Sequence, residues 1–125
     1  MAAAVMLSAA ACAPAAPSLD AAADAVERYL TAKVNTDEAG VRALLCPAME
    51  ADLPREITSF SGVTGARIDG MDCTAAAGEN ADAATVTCAG TIVAEYGAEA
   101  TEFPLRTYTA VLDDGEWKWC GETGG

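Results

Sequence analysis

Histidine is absent from the 125 residues. That removes Ser-His-Asp and Cys-His catalysis, histidine metal sites and histidine-based pH switching together. Cations are scarce: seven lysines and arginines stand against nineteen aspartates and glutamates, a formal net charge of -12. A surface this acidic repels phosphate backbones, so nucleic acid is not expected as a partner. No two cysteines form a Cys-x-x-Cys pair, which leaves zinc and redox motifs without support, and no metal or cofactor is expected. Aromatic residues make up only 6%, and much of the 52% hydrophobic content is alanine, so large side chains for a core are few. The length is one domain's worth, enough for a single small core.

What is present begins with a leader. Residues 1–12 read MAAAVMLSAAAC, an apolar stretch too short to span a bilayer, which takes about 20 residues. A signal-peptide core fits it better. Ala9-Ala10-Ala11-Cys12 resembles a bacterial lipobox, in which small residues precede a cysteine that is lipidated and becomes the mature N-terminus. A lipobox more usually has leucine where this chain has Ala9. No lysine or arginine precedes Arg28, so the basic part of such a leader is expected upstream of Met1. Residues 13–17 then read as a flexible tether, residues 18–122 as the folded domain and residues 123–125 as a tail. The resemblance implies a protein anchored to a membrane through Cys12 on the extracytoplasmic side of the cell envelope, with free secretion as the alternative.

Four cysteines remain, Cys46, Cys73, Cys88 and Cys120, an even set in a small acidic domain. Two disulfides are expected, and three connectivities are open.

From Ser18 onward, Leu19, Ala22, Ala23, Val26, Tyr29, Leu30, Lys33 and Val34 recur at helical steps, with Ser18 or Asp20 as the cap. Asn35-Thr36-Asp37 breaks this helix and caps a second, whose apolar face is Val41, Leu44 and Leu45. Cys46-Pro47 interrupts it, and Ala48 to Leu53 reads as a further turn that Pro54 stops. After Gly62 the period changes to two. Strands are expected over Ala66–Thr74, Ala84–Tyr96, Thr101–Leu112 and Glu116–Cys120, separated by Gly78-Glu79-Asn80, Gly97-Ala98-Glu99 and Asp113-Asp114-Gly115. In the second, Val86, Cys88, Gly90, Ile92, Ala94 and Tyr96 share one face. Helices followed by consecutive hairpins predict an α+β fold, with helices packed on one side of a four-stranded antiparallel sheet.

A first hairpin turning near Glu79-Asn80 sets Cys73 opposite Cys88. Cys46, at the end of the second helix, is left for Cys120, at the end of the last strand. Loop-closure entropy gives upper expectations of about 3 kcal/mol for the short bridge and about 4.5 kcal/mol for the long one.

An amphipathic first helix, a shorter one carrying RALLCPAME, and a meander ending in DDGEWKWCGE resemble the nuclear-transport-factor-two-like (cystatin-like cone) domains of small bacterial envelope lipoproteins. The likeness spans about Ser18 to Glu122. It implies a curved sheet wrapped around the long helix, with a pocket at the open end of the cone. No enzyme motif of the family matches residue by residue, so the resemblance carries architecture and no catalytic residue.

Three readings of function remain open. The first is a non-enzymatic, membrane-anchored domain that binds a small ligand or an envelope partner, with Tyr29, Tyr96, Tyr108, Trp117 and Trp119 as the candidate ligand-binding residues. The two tryptophans share a strand face and are expected to pack on the helices unless both prove exposed, when they could stack a flat ligand. The second is an isomerase- or hydratase-like enzyme, in which the tyrosines converge on Asp69 and Asp72. The third is an inhibitor or immunity-type binder that uses the acidic loop of Glu95, Glu99 and Glu102 against a cationic partner. Asp113-Asp114-Gly115-Glu116 lacks the spacing of a calcium loop and reads as a hairpin turn.

Overall fold

A computed structural model describes residues 18–123. The anchor expected at Cys12, with the expected leader and tether, lies outside the described residues.

Helix α1 (Leu19–Val34) begins where the Ser18 hydroxyl accepts from the amide of Ala21 at 3.2 Å. It buries Ala22, Ala25, Val26, Tyr29 and Leu30, the stripe its helical period predicts, while Leu19 stays exposed. Thr36, at φ 52, turns the chain, and the Asp37 carboxylate caps α2 (Glu38–Leu44) by accepting from Gly40 at 3.1 Å. A Cβ at Gly40 would lie 2.8 Å from that of Ala32, so glycine is what lets the two helices approach this closely.

The next segment differs from expectation. A 3₁₀ turn (Pro47–Asp52) runs directly into α3 (Leu53–Thr58), with Pro54 in its first turn. Proline at that position starts a helix, because the amide it lacks has no intrahelical acceptor there and its fixed φ is already helical.

The sheet is antiparallel: β1 (Thr64–Ala77), β2 (Ala83–Tyr96), β3 (Glu99–Pro104), β4 (Thr107–Asp113) and β5 (Glu116–Glu122), in the order β1-β2-β4-β5 with β3 also paired to β2. The α+β class is as expected, but the strands number five rather than four. The segment expected as one strand divides at Leu105-Arg106, where the ladder along β2 passes from Thr91↔Pro104 to Thr87↔Thr107 with its register changed by one residue. The accommodation centres on Gly90, at φ 112, whose carbonyl accepts from Leu105 at 2.9 Å. A Cβ there would meet the Asp69 and Gly70 carbonyl oxygens at 2.9 Å. Neighbouring strands break register nearby, β1 between Asp69 and Asp72 and β5 opposite the Tyr108–Ala110 step, and glycine-centred breaks of this kind kink a strand.

Ala84, Val86, Cys88, Ile92 and Ala94 of β2, Tyr108 and Ala110 of β4, and Trp117 and Trp119 of β5 form one core with the helices. Two disulfides reinforce it with the expected pairing. Cys73–Cys88 joins directly opposed residues of β1 and β2 (Cα–Cα 4.0 Å), and Cys46–Cys120 ties the end of the helix layer to β5 (Cα–Cα 5.3 Å). Beside the second, the Cys46 amide donates to the Trp119 carbonyl at 2.9 Å.

Candidate functional site

The helical period puts Tyr29 and Lys33 one turn apart on α1, facing β5 and α3. Tyr29 is fully buried and stacks on Trp119, with centroids 4.2 Å apart and planes 7° from parallel. Its hydroxyl donates to Oε1 of Glu56 at 2.5 Å. Glu56, the one buried charged residue among those described, also accepts from Lys33 Nζ through both oxygens at 3.2 Å. Nζ in turn lies 5.8 Å from the Trp119 ring centroid. Burial, then the Glu56 hydrogen bond and charge, push the Tyr29 hydroxyl well above the ordinary tyrosine range. Burial raises Tyr108 as well, helped by Glu122 and opposed by the Arg106 amide that donates to its oxygen.

Against this cluster lies a cavity of about 440 Å³. Trp119, Tyr108, Phe103, Phe60, Ile92 and Leu30 supply its apolar walls, and Lys33, Arg106, Glu102 and Glu122 its charged groups. The cations are answered locally, Lys33 by Glu56 and Arg106 by Glu122 at 3.9 Å. Trp119 contributes one more feature: its Nε1 is a buried donor with no acceptor in the protein, the only such side-chain atom among the described residues.

The five residues predicted to bind a ligand therefore divide. Tyr108 and Trp119 line the cavity, and Tyr29 lies behind Trp119. Trp117 points to the other end of the core, where its Nε1 donates to the Ser18 carbonyl at 3.1 Å. Tyr96 stands half exposed on the β2–β3 hairpin. The tyrosines do not gather around Asp69 and Asp72, which are exposed on β1, Asp69 within 3.4 Å of Arg67. Both are exposed because they occupy strand positions opposite Thr91 and Ala89, on the face turned away from the helices. Asp113 to Glu116 form a tight turn between β4 and β5, with Asp114 and Gly115 both at positive φ.

Glu56, Lys33, Phe60, Phe103 and Arg106 were not among the predicted residues. Their only available signal was Pro54: read as a helix start, it puts Glu56 on a helix whose position in the chain lets it reach α1.

A second depression, of about 500 Å³, is more open and is lined largely by small groups, Ala21, Gly40, Ala43 and Gly115, with Trp117 at its side. No helix among the described residues is long and apolar enough to cross a membrane. The two disulfides fit an oxidising, extracytoplasmic compartment. Set against protein-family models, curated proteins and solved structures, the chain matches none.

Proposed function

We infer that the chain is a non-catalytic extracytoplasmic domain, anchored through Cys12 and of the nuclear-transport-factor-two-like cone type, that holds a small, largely apolar ligand. One observation carries the reading: the 440 Å³ cavity has aromatic walls and a few charged groups, the composition that small-molecule sites have. The stacked Tyr29–Trp119 pair makes its inner wall rigid. The glycine-centred register breaks support a curved sheet, as a cone requires.

Non-catalytic binding is favoured over isomerase- or hydratase-like chemistry by the state of Glu56. Both of its oxygens are occupied by Lys33, and Tyr29 takes up one of them as well, so the carboxylate is committed to holding α3 on α1 rather than to a substrate proton.

Native mass spectrometry of the protein purified from its own envelope fraction tests the binding. A co-purifying small molecule that 2-naphthol displaces supports the reading. Bare protein that also fails to take up 2-naphthol contradicts it. The anchor is tested separately, by the mass of the mature product: a chain beginning at Cys12 and carrying acyl groups is expected, and an unacylated chain beginning after Cys12 removes the anchor.

A further inference from the structure

The β2–β3 hairpin borders the cavity through Phe103 and Glu102 and carries further exposed groups beyond it, Tyr96, Glu95 and Glu99. Tyr96 and Phe103 are two of the three exposed large hydrophobic residues, 47% and 40% accessible, and meet edge to face at 6.4 Å. Phe103 touches Phe60 in the same manner at 6.3 Å, so an aromatic row runs from the edge of the core to the hairpin tip. Glu95, Glu99 and Glu102 are all exposed, Glu99 on the face of this row and Glu95 and Glu102, one step out of phase with Tyr96 and Phe103, on the opposite face of the hairpin, and no lysine or arginine among the described residues pairs with any of them. From Thr91 to Leu105 the sequence contains no cation. The outer edge of β3 is also unpaired, since β3 pairs only with β2. Leu105 donates inward to Gly90, so alternation turns the backbone groups of Ala100 and Glu102 outward, and Pro104, next in that series, has no amide to offer. An edge this short, closed by proline and flanked by carboxylates, resists pairing with another copy of itself.

We propose that the outer edge of this hairpin is a docking surface for a cationic, extended polypeptide segment whose side chains alternate between the two faces, aromatic or aliphatic groups lying on Tyr96 and Phe103 beside Glu99, and lysines or arginines against Glu95 and Glu102 on the other face. Apolar contact supplies the anchor and the carboxylates supply selection, a division common to protein interfaces. A second copy of the chain, at a net charge of -12, is excluded by repulsion from the same carboxylates.

A labelled synthetic peptide alternating lysine with phenylalanine, valine and tyrosine, titrated into the full oxidised chain at low salt and followed by anisotropy, tests this. Reversing the hairpin charges, Glu95→Lys with Glu99→Lys and Glu102→Lys, is expected to weaken binding at least about tenfold. The same change in net charge made elsewhere, by Glu50→Lys with Glu79→Lys and Asp82→Lys at exposed positions, is expected to alter it less than about twofold. Tyr96→Ala leaves the charge untouched and is expected to weaken binding about threefold or more. The proposal is overturned if the peptide does not bind, if the two triple variants weaken it equally, or if Tyr96→Ala has no effect.

Discussion

Trp117 and Trp119 stand two residues apart on β5, face the same helix layer and are equally buried, yet their surroundings differ. At Trp117 the indole donor meets the Ser18 carbonyl, which fastens the start of α1 to the sheet. At Trp119 the indole donor has no acceptor, the ring is clamped between Tyr29 and Tyr108, and a cavity opens beside it. The difference teaches what a thin, alanine-padded interior can do. At one end of the core the indole donor is satisfied by the chain's own backbone beside an open depression, while at the other it is left unsatisfied beside a more enclosed cavity flanked by an ion pair and aromatic stacking.

The largest expected effect comes from the staple on the Trp119 side. Replacing Cys46 and Cys120 by alanine should lower stability by up to about 4.5 kcal/mol, against up to about 3 kcal/mol for the Cys73–Cys88 pair, read from denaturant midpoints. Hydrogen exchange should show the loss first at the backbone amide of position 46, which in the native chain donates to Trp119, and only later at the Trp117 end. Equal losses at both ends would make the two neighbourhoods one cooperative unit and erase the distinction.

Next is the buried ion pair. Glu56→Ala leaves the Tyr29 hydroxyl and the Lys33 ammonium without their acceptor and should cost about 3 kcal/mol; Glu56→Gln, which keeps an oxygen for Tyr29, should cost less. Parallel urea titrations of the two variants check the order.

The tyrosines give a smaller, pH-dependent effect. The folded state holds Tyr29 and Tyr108 protonated above the ordinary tyrosine value of 10.0, so above that pH the unfolded chain has released protons that the native state keeps. Their stabilising contribution is complete below pH 10.0 and is lost as pH rises, at about 1.4 kcal/mol per pH unit for each group. Tyr29→Phe should flatten that fall, measured as the denaturation midpoint across the alkaline range.

The smallest effect sharpens the comparison most cleanly. Trp117→Phe deletes a satisfied hydrogen bond and should cost about 1 kcal/mol beyond the lost packing, whereas Trp119→Phe deletes a donor that has no partner and should cost packing alone. Calorimetric melting of both variants distinguishes them.

Much of the fold was legible in the sequence. The spacing of Ala22, Val26, Tyr29 and Leu30 announced α1, the turn at Glu79-Asn80 set Cys73 against Cys88, and the alternation from Ala84 to Ala94 named the buried face of β2. Less of the site could be read. Trp119 and Tyr108 carry an aromatic signal, but Glu56 lies on a helix that Pro54 starts, where the sequence reads Pro54 as the stop of the preceding turn, and its partner Lys33 looks like one more step in an amphipathic pattern. The division of the third strand has a signal in Pro104, the last residue of β3, but its accommodation by Gly90 on the neighbouring strand is not legible from the residues at the break. Periodicity reports which face is buried. It does not report where two elements distant in sequence leave space between them.

The most direct test of the account is the intermolecular nuclear Overhauser spectrum of the full oxidised chain with 2-naphthol. Contacts from the probe to Trp119, Tyr108 and Phe103, with a shift of the Trp119 indole proton and none at Trp117, are predicted. Contacts at Trp117 instead, or none at either ring, would contradict it.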